Sequence, residues 1–244
     1  MKKIRYIFAA LIAVAFASVV FVGCKKDNNL SKESNPTISK QTDLASIPVY
    51  FNEKLVDSFS EADYAPTKDA DMDLTCVVDT NGQHYFNQDL IFNQFCTANQ
   101  MELIYQYSGK LNLINQKAIE LGIEEIEIDN APQAMADYWQ TVFGTSIDVA
   151  TTPNRSLVLK VYDGGYWNGE SRSYFLPCKA NLGDMDNRIS SFSQFVGVGV
   201  TVLCYNKWFG GTRRWFWLIG VQSGYSLENT ADNNQYSSYF NILL

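Results

Sequence analysis

One stretch of the C-terminal third occurs twice. Val161-Tyr162-Asp163-Gly164-Gly165-Tyr166-Trp167-Asn168-Gly169 precedes Asp186-Asn187-Arg188-Ile189-Ser190-Ser191, and Leu203-Cys204-Tyr205-Asn206-Lys207-Trp208-Phe209-Gly210-Gly211 precedes Asn233-Asn234-Gln235-Tyr236-Ser237-Ser238. Each copy is an aromatic–x–Gly hairpin followed by a six-residue (Asn/Asp)-(Asn/Asp)-x-x-Ser-Ser segment. Gly169 and Gly211 stand 42 residues apart, the length of one four-stranded Greek-key motif. After Thr151-Thr152-Pro153 helical periodicity disappears and short β-type runs alternate with turn residues, the pattern of a β-sandwich or barrel.

These residues resemble the βγ-crystallin family in its microbial, calcium-binding form. Tyr162, Trp167 and Gly169 satisfy the family's aromatic-x4-aromatic-x-Gly signature, and both six-residue segments satisfy its second signature. The glycine is needed where the hairpin folds back through a backbone conformation closed to other residues. The resemblance covers residues 155–244 and is silent on residues 48–150. It implies a double Greek-key sandwich with two calcium sites built where the two loops lie side by side. Each site is expected to take an Asn/Asp side chain and the carbonyl of the following residue from one loop, and a serine hydroxyl from the other. The metal-binding residues so implied are Asp186, Asn187, Arg188 (carbonyl) and Ser190, with Asn233, Asn234, Gln235 (carbonyl) and Ser237. Ser191 and Ser238 are expected to hold the folded hairpins instead.

Oxygen-rich side chains suit calcium, which takes six to eight oxygens in flexible geometry. The second copy departs from the pattern. Cys204 replaces the first aromatic, and an insertion around Leu227-Glu228-Asn229-Thr230 lengthens the second copy. Asp186 alone carries charge among the four Asn/Asp positions, so weak sites of roughly 10⁻⁴ M are expected. A chain with one histidine cannot build a multi-histidine metal site.

The N-terminus reads as an address. Lys2, Lys3 and Arg5 precede an uncharged apolar run from Tyr6 to Gly23, and Phe21-Val22-Gly23-Cys24 resembles a bacterial lipoprotein processing site. Residues 1–23 are thus expected to be a signal peptide and Cys24 the lipidated residue, anchoring the protein to the bacterial envelope, with the outer membrane as destination. Without the leader, 16 basic residues face 26 acidic ones, and the net charge moves from −7 to −10. No basic stripe is available for nucleic acid. Residues 24–47 carry few apolar side chains and read as lipid attachment and flexible tether.

Residues 48–152 read as a small α+β domain, with a boundary expected at 150–154 before an all-β domain over 153–244. Leu74–Val78 and Gln83–Phe86 flank Asn81-Gly82, a hairpin signal. Leu111, Ile114, Ala118 and Leu121 form one helical face ahead of Gly122. A second helix is expected to be capped by Asn130 with Gln133, to present Met135, Trp139, Val142 and Phe143, and to end at Gly144. Four mature cysteines beyond an inner membrane suggest disulfides, most simply Cys76–Cys96 and Cys178–Cys204. Cys76 or Cys96 with His84 is the alternative, a thiol nucleophile and its base. Glu120, Glu124, Glu125, Glu127 and Asp129 form an acidic run, and Trp208, Trp215 and Trp217 near Arg213-Arg214 are divided between core packing and a platform for a sugar or protein. Gly164-Gly165 and Gly210-Gly211 lack the lysine and serine of a phosphate loop.

The expectation is a calcium-binding, structural or binding module at the cell surface, without catalysis, whose partners are the membrane, calcium and a surface glycan or protein. A protease inhibitor or toxin on the same scaffold, and an enzyme within residues 48–152, are the competing readings.

Overall fold

Cys76 and Val77 are neighbours in the chain yet enter different hydrophobic cores. Successive side chains of a strand leave opposite faces, so the sheet that carries them is covered on both sides. The computed structural model describes residues 42–57, 69, 72–153, 159–194, 198–219, 223–228, 230 and 233–243. The signal peptide, Cys24 and the tether up to residue 41 lie outside the described residues. The fold is mixed α+β with two sheets.

The strands are β1 (Thr42–Asp43), β2 (Val49–Phe51), β3 (Lys54–Val56), β4 (Thr75–Val78), β5 (Gln83–Phe86), β6 (Leu159–Tyr162), β7 (Ser171–Tyr174), β8 (Cys178–Lys179), β9 (Ser191–Gln194), β10 (Val198–Cys204), β11 (Arg213–Ile219), β12 (Ser223–Ser226) and β13 (Ser238–Leu243). The helices are α1 (Asp89–Ala98), α2 (Glu102–Leu121), α3 (Gln133–Phe143) and α4 (Ile147–Thr151). Among the described residues one sheet runs β1-β12-β9-β6-β7 and the other β3-β2-β5-β4-β11-β10-β13-β8.

Alternation along the longer sheet sorts its side chains. Val77, Val200, Val202, Trp215 and Phe240 pack with Phe92, Ile104, Leu111, Ile114, Met135 and Trp139 of the helices. Cys76, Leu203, Phe216 and Tyr239 pack with Leu159, Val161, Phe192 and Tyr225 of the shorter sheet. The result is a helical layer, a central sheet and a second sheet. Trp215 and Phe216 divide between the two cores as the alternation predicts.

The two helices expected from the sequence follow their signals closely, with one exception, while α1 and α4 had not been singled out. Ile104, Leu111, Ile114 and Ala118 on α2 are buried, and three- and four-residue spacing puts them on one face. Gly122 ends α2 at φ 63° and Gly144 ends α3 at φ 74°, both left-handed caps that glycine takes without a Cβ clash. The start of α3 departs from expectation. Its N-cap is Pro132, with no side-chain cap bond, because Asn130 is drawn into a 3₁₀ turn over Ile128–Asn130 and Pro132 pre-sets the entry. The tether also ends earlier than expected. Thr42–Asp43 pair in parallel with Tyr225–Ser226, and Leu44, apolar among polar neighbours, is wholly buried.

Residues on the two sides of the boundary expected at 150–154 share one sheet. Thr75–Val78 of β4 pair in parallel with Arg213–Phe216 of β11, and the helical core joins Trp139 to Trp208, Phe209 and Phe240. Within the repeat, β6, β7 and β9 lie in the shorter sheet and β8 in the longer one. The second copy mirrors this, with β10, β11 and β13 in the longer sheet and β12 in the shorter. Each copy therefore lends its third strand to the other's sheet, which brings the two six-residue loops together.

Candidate functional site

Both hairpins between the first and second strands of a copy fold back on themselves. Tyr166 and Trp167 have φ of 53° and 63°, and Trp208 and Phe209 of 52° and 65°. Gly169 and Gly211 follow at φ 82° and 69°, the left-handed region where a side chain is strained. The segments' last serines bind these turns identically. Ser191 Oγ donates to Gly164 O at 2.6 Å and accepts from Trp167 N at 3.0 Å. Ser238 Oγ donates to Asn206 O at 2.6 Å and accepts from Phe209 N at 3.0 Å.

The rest of the two segments is joined reciprocally. Asn187 N donates to Tyr236 O at 2.9 Å, and Asn234 N donates to Ile189 O at 3.1 Å. Ser237 Oγ donates to Asp186 Oδ1 at 2.5 Å and lies 3.4 Å from Asn187 Oδ1. Ser190 Oγ donates to Asn234 Oδ1 at 3.0 Å. Each serine thus meets the Asn/Asp side chains of the opposite loop. Asn187 and Asn234 both adopt left-handed φ, 54° and 59°, which asparagine tolerates better than most residues. Arg188 turns its guanidinium to Asp163 Oδ2 at 2.8 Å and Glu170 Oε2 at 2.9 Å, while Gln235 is exposed.

Every side-chain donor in this set is a hard oxygen, of the kind a calcium ion takes. Asn233 adds a more pointed observation. Its Oδ1 is buried and accepts no hydrogen bond among the described residues, an acceptor left for a donor or cation. Among the described residues no three His, Cys, Asp or Glu side chains group into a metal cluster, so a cation here would rely mostly on amide, hydroxyl and carbonyl oxygens beside the single Asp186 carboxylate.

Three charged residues beside the loops were not singled out as site residues from the sequence. Lys207 places its ammonium 3.8 Å from Asp186 Oδ2 and pairs with Glu125; these carboxylates raise its pKa, Glu125 foremost, against a smaller opposing effect of burial. A cavity of about 530 Å³ opens there, lined by Glu124, Glu125, Asp186, Asn187, Lys207 and Ser237 among others. In the first hairpin Gly165 is the counterpart of Lys207, and a Cβ built on it would lie 1.9 Å from Glu228 Oε2. The insertion delivers that carboxylate. Leu227 is buried and Thr230 N donates to Leu227 O at 2.9 Å, forming a tight turn around Glu228. The only sequence signal for Glu228 was the unequal spacing of the copies.

Other sequence candidates take structural places. No disulfide joins Cys76, Cys96, Cys178 and Cys204. Cys76 and Cys96 sit in different cores, and β8 and β10 flank β13 on opposite sides, with Cys178 opposite Phe240 and Cys204 opposite Ser238, so Cys178 and Cys204 are separated by at least two strand spacings, about 9.6 Å, beyond disulfide reach. Burial pushes the Cys96 thiol up to about 12, far from a thiolate at neutral pH. Trp208 and Trp215 are wholly buried and cannot form a surface platform. Trp208 Nε1 donates to Ile126 O at 3.0 Å. The acidic run docks onto the repeat, with Glu127 on Lys179 at 2.8 Å and Glu125 on Lys207. A side chain at Gly210 would meet Asn115 of α2 at 2.5 Å, so the second hairpin is fitted to that helix.

Comparison with known proteins gives a partial likeness. No family model and no curated protein matches the chain. Several solved structures resemble part of it, two of them as follows. One is a βγ-crystallin from an archaeon, 21% identical, matched over 36% of this chain and 100% of its own, with a TM-score of 0.31. The other comes from work on the evolution of the eye-lens βγ-crystallin domain fold, 15% identical, matched over 38% of this chain and 93% of its own, also at 0.31. No helix among the described residues is long and apolar enough to cross a membrane.

Proposed function

We propose that residues 159–243 are a double Greek-key, βγ-crystallin-like module that binds calcium at its paired loops, in a non-catalytic, lipid-anchored protein of the bacterial envelope. The observation that carries the calcium reading is the reciprocal placement of Ser190 and Ser237 against the Asn/Asp side chains of the opposite loop. On one side Asp186, Asn187 and Ser237 would hold the ion; on the other, Asn233, Asn234 and Ser190 would, with Glu228 supplying a charge the segment itself lacks. The carbonyls of Arg188 and Gln235 complete the set implied by the resemblance. A bound divalent cation would neutralise Asp186 and tie the two loops together, so its contribution is stabilising. The anchor rests on the Cys24 motif, and loss of palmitate labelling in Cys24→Ser tests it.

Binding to the folded state alone stabilises by about 2.7 kcal/mol at a ligand concentration of 100 times Kd. Calcium in the millimolar range should therefore raise the melting temperature of the whole chain above its value in chelator, and Asp186→Ala or Ser237→Ala should shrink the rise. Identical melting curves with calcium and with chelator would rule out the calcium reading.

A further inference from the structure

The two sides of the paired loops differ in charge. Lys207 and Gly165 hold the same place in the two folded hairpins. On one side the Lys207 ammonium stands 3.8 Å from Asp186 Oδ2, while Ser237 Oγ donates to Asp186 Oδ1 at 2.5 Å. Each carboxylate oxygen of Asp186 thus already faces a hydrogen-bond donor or a positive charge. On the other side glycine brings no ammonium, and the Glu228 carboxylate takes the space where a side chain at Gly165 would begin. Leu227 N donates to Ser190 O at 2.8 Å and Asn233 N to Thr230 O at 3.3 Å, so the turn bearing Glu228 is tied to both loops. Ser190 Oγ there donates to Asn234 Oδ1. Asn233 Oδ1, in the place of the Asp186 carboxylate, is buried and accepts nothing among the described residues. One side carries its own positive charge; the other keeps an orphan acceptor beside an added negative charge.

The ammonium is held where it is. Its hairpin is fastened to the helical part by Trp208 Nε1 on Ile126 O at 3.0 Å and by Asn115 Nδ2 on Lys207 O at 3.4 Å. Glu125 pairs with the same ammonium. A divalent ion ligated by Asp186 Oδ2 at about 2.4 Å would lie within about 6 Å of Nζ, and even at the dielectric of water that repulsion weakens binding about tenfold. Glu228 acts in the opposite direction, because affinity for calcium rises with the charge of the ligand set. Resting on the calcium reading above, we propose that the two sites fill in order. Calcium enters first at Asn233, Asn234 and Ser190 beside Glu228, while the Lys207 ammonium serves as a resident cation at Asp186 that holds off a second ion until calcium is about tenfold higher. The cavity of about 530 Å³ beside Asp186 and Lys207 gives that second ion room. At low calcium the module answers to one ion, and the second loop site is kept neutral by the chain itself.

The test is a calcium titration of the isotope-labelled whole chain from chelator upward, followed by amide NMR at positions 165 and 207. In the wild type the Gly165 amide should shift first and the Lys207 amide at about tenfold higher calcium. Lys207→Gln should bring the two steps together, and Glu228→Gln should weaken the first about tenfold while leaving the second in place. Glu228 is exposed and Lys207 half-buried, and an unchanged far-UV spectrum identifies folded variants; should Lys207→Gln misfold, Glu228→Gln decides. Simultaneous shifts in the wild type, a Lys207 shift that comes first, or a first step unchanged in Glu228→Gln overturns the proposed order and leaves the calcium reading standing. So do shifts in Lys207→Gln with none in the wild type. No shift in any of the three proteins overturns the calcium reading and the order with it.

Discussion

Phe240→Ala tests whether helices and sheets form one cooperative structure. Phe240 lies on β13 at 7% exposure, with its ring stacked on Phe143 at 5.5 Å and set against Tyr107 at 5.7 Å, Phe209 at 5.8 Å and Trp139 at 6.3 Å. Tyr107, Trp139 and Phe143 belong to α2 and α3, and Phe209 to the second hairpin, so one ring joins residues from both sides of position 153. A buried Phe→Ala change costs about 3–5 kcal/mol. Aromatic pairs contribute roughly 0.5–1.5 kcal/mol beyond burial. A neighbouring cavity of about 240 Å³ lined by Tyr107, Trp139, Phe143 and Phe240 gives the site room to relax and water a way in, which argues for the lower part of that range. The expected loss is about 3–4 kcal/mol, or about 1–2 M in the urea midpoint at m near 2–3 kcal/mol/M. Unfolding is followed by helical circular dichroism and by tryptophan fluorescence, since Trp139 is helical and Trp208 and Trp215 lie in the repeat. Both signals should shift together. A loss below about 1 kcal/mol, or a helical transition that moves while the tryptophan transition stays, would refute the argument that helices and repeat unfold together.

Two further outcomes are specific. Lys207→Gln removes an ammonium 3.8 Å from Asp186 Oδ2; the repulsion it exerts on an incoming divalent cation, even at the dielectric of water, implies calcium affinity about tenfold higher, and calorimetric titration showing unchanged or weaker binding would reject that role. His84 is the single histidine of the chain and gives one resonance to titrate. Burial disfavours its imidazolium, but Asp79 and Glu53, 3.7 Å and 3.3 Å away, outweigh that and raise its pKa above 6.5. The stabilisation this brings is full below the unfolded pKa near 6.5 and is lost as pH rises through the folded value, at about 1.4 kcal/mol for each tenfold change in proton affinity. An NMR midpoint at or below 6.5 contradicts the assignment, and Asp79→Asn should lower the midpoint.

What could be read from the sequence was local. The helix ends at Gly122 and Gly144, the strands around Asn81-Gly82 and the division of Trp215 from Phe216 all follow from short-range patterns. The repeat placed the two six-residue loops, because a repeated segment makes similar contacts twice: Ser191 with Gly164 and Ser238 with Asn206. Hydrogen bonding between β4 and β11 joins segments more than a hundred residues apart, and no periodicity announces such a partner. Reading Cys76 with Cys96 from proximity ignored the side of the sheet each would face. The burial of Arg213 had no local signal, because its partners, Phe209 O and Asn112, come from a turn and a distant helix. Lys207 was a variable position inside a motif, and only docking of the acidic corner by Glu125 gives it weight.

The parallel pairing of β4 with β11 also relocates an exposed edge. Cut away from residues 42–86, β11 would present the unpaired main chain of Arg213–Phe216 as a template for another copy, flanked by Trp215 and Phe216. Instead the outermost strand on that side among the described residues is β3, three residues long, with Lys54 exposed to solvent. A short, lysine-bearing rim discourages strand addition. Residues before position 153 thus act as a built-in guard against self-association of the repeat. A C-terminal fragment studied alone would report its own aggregation before it reported a ligand.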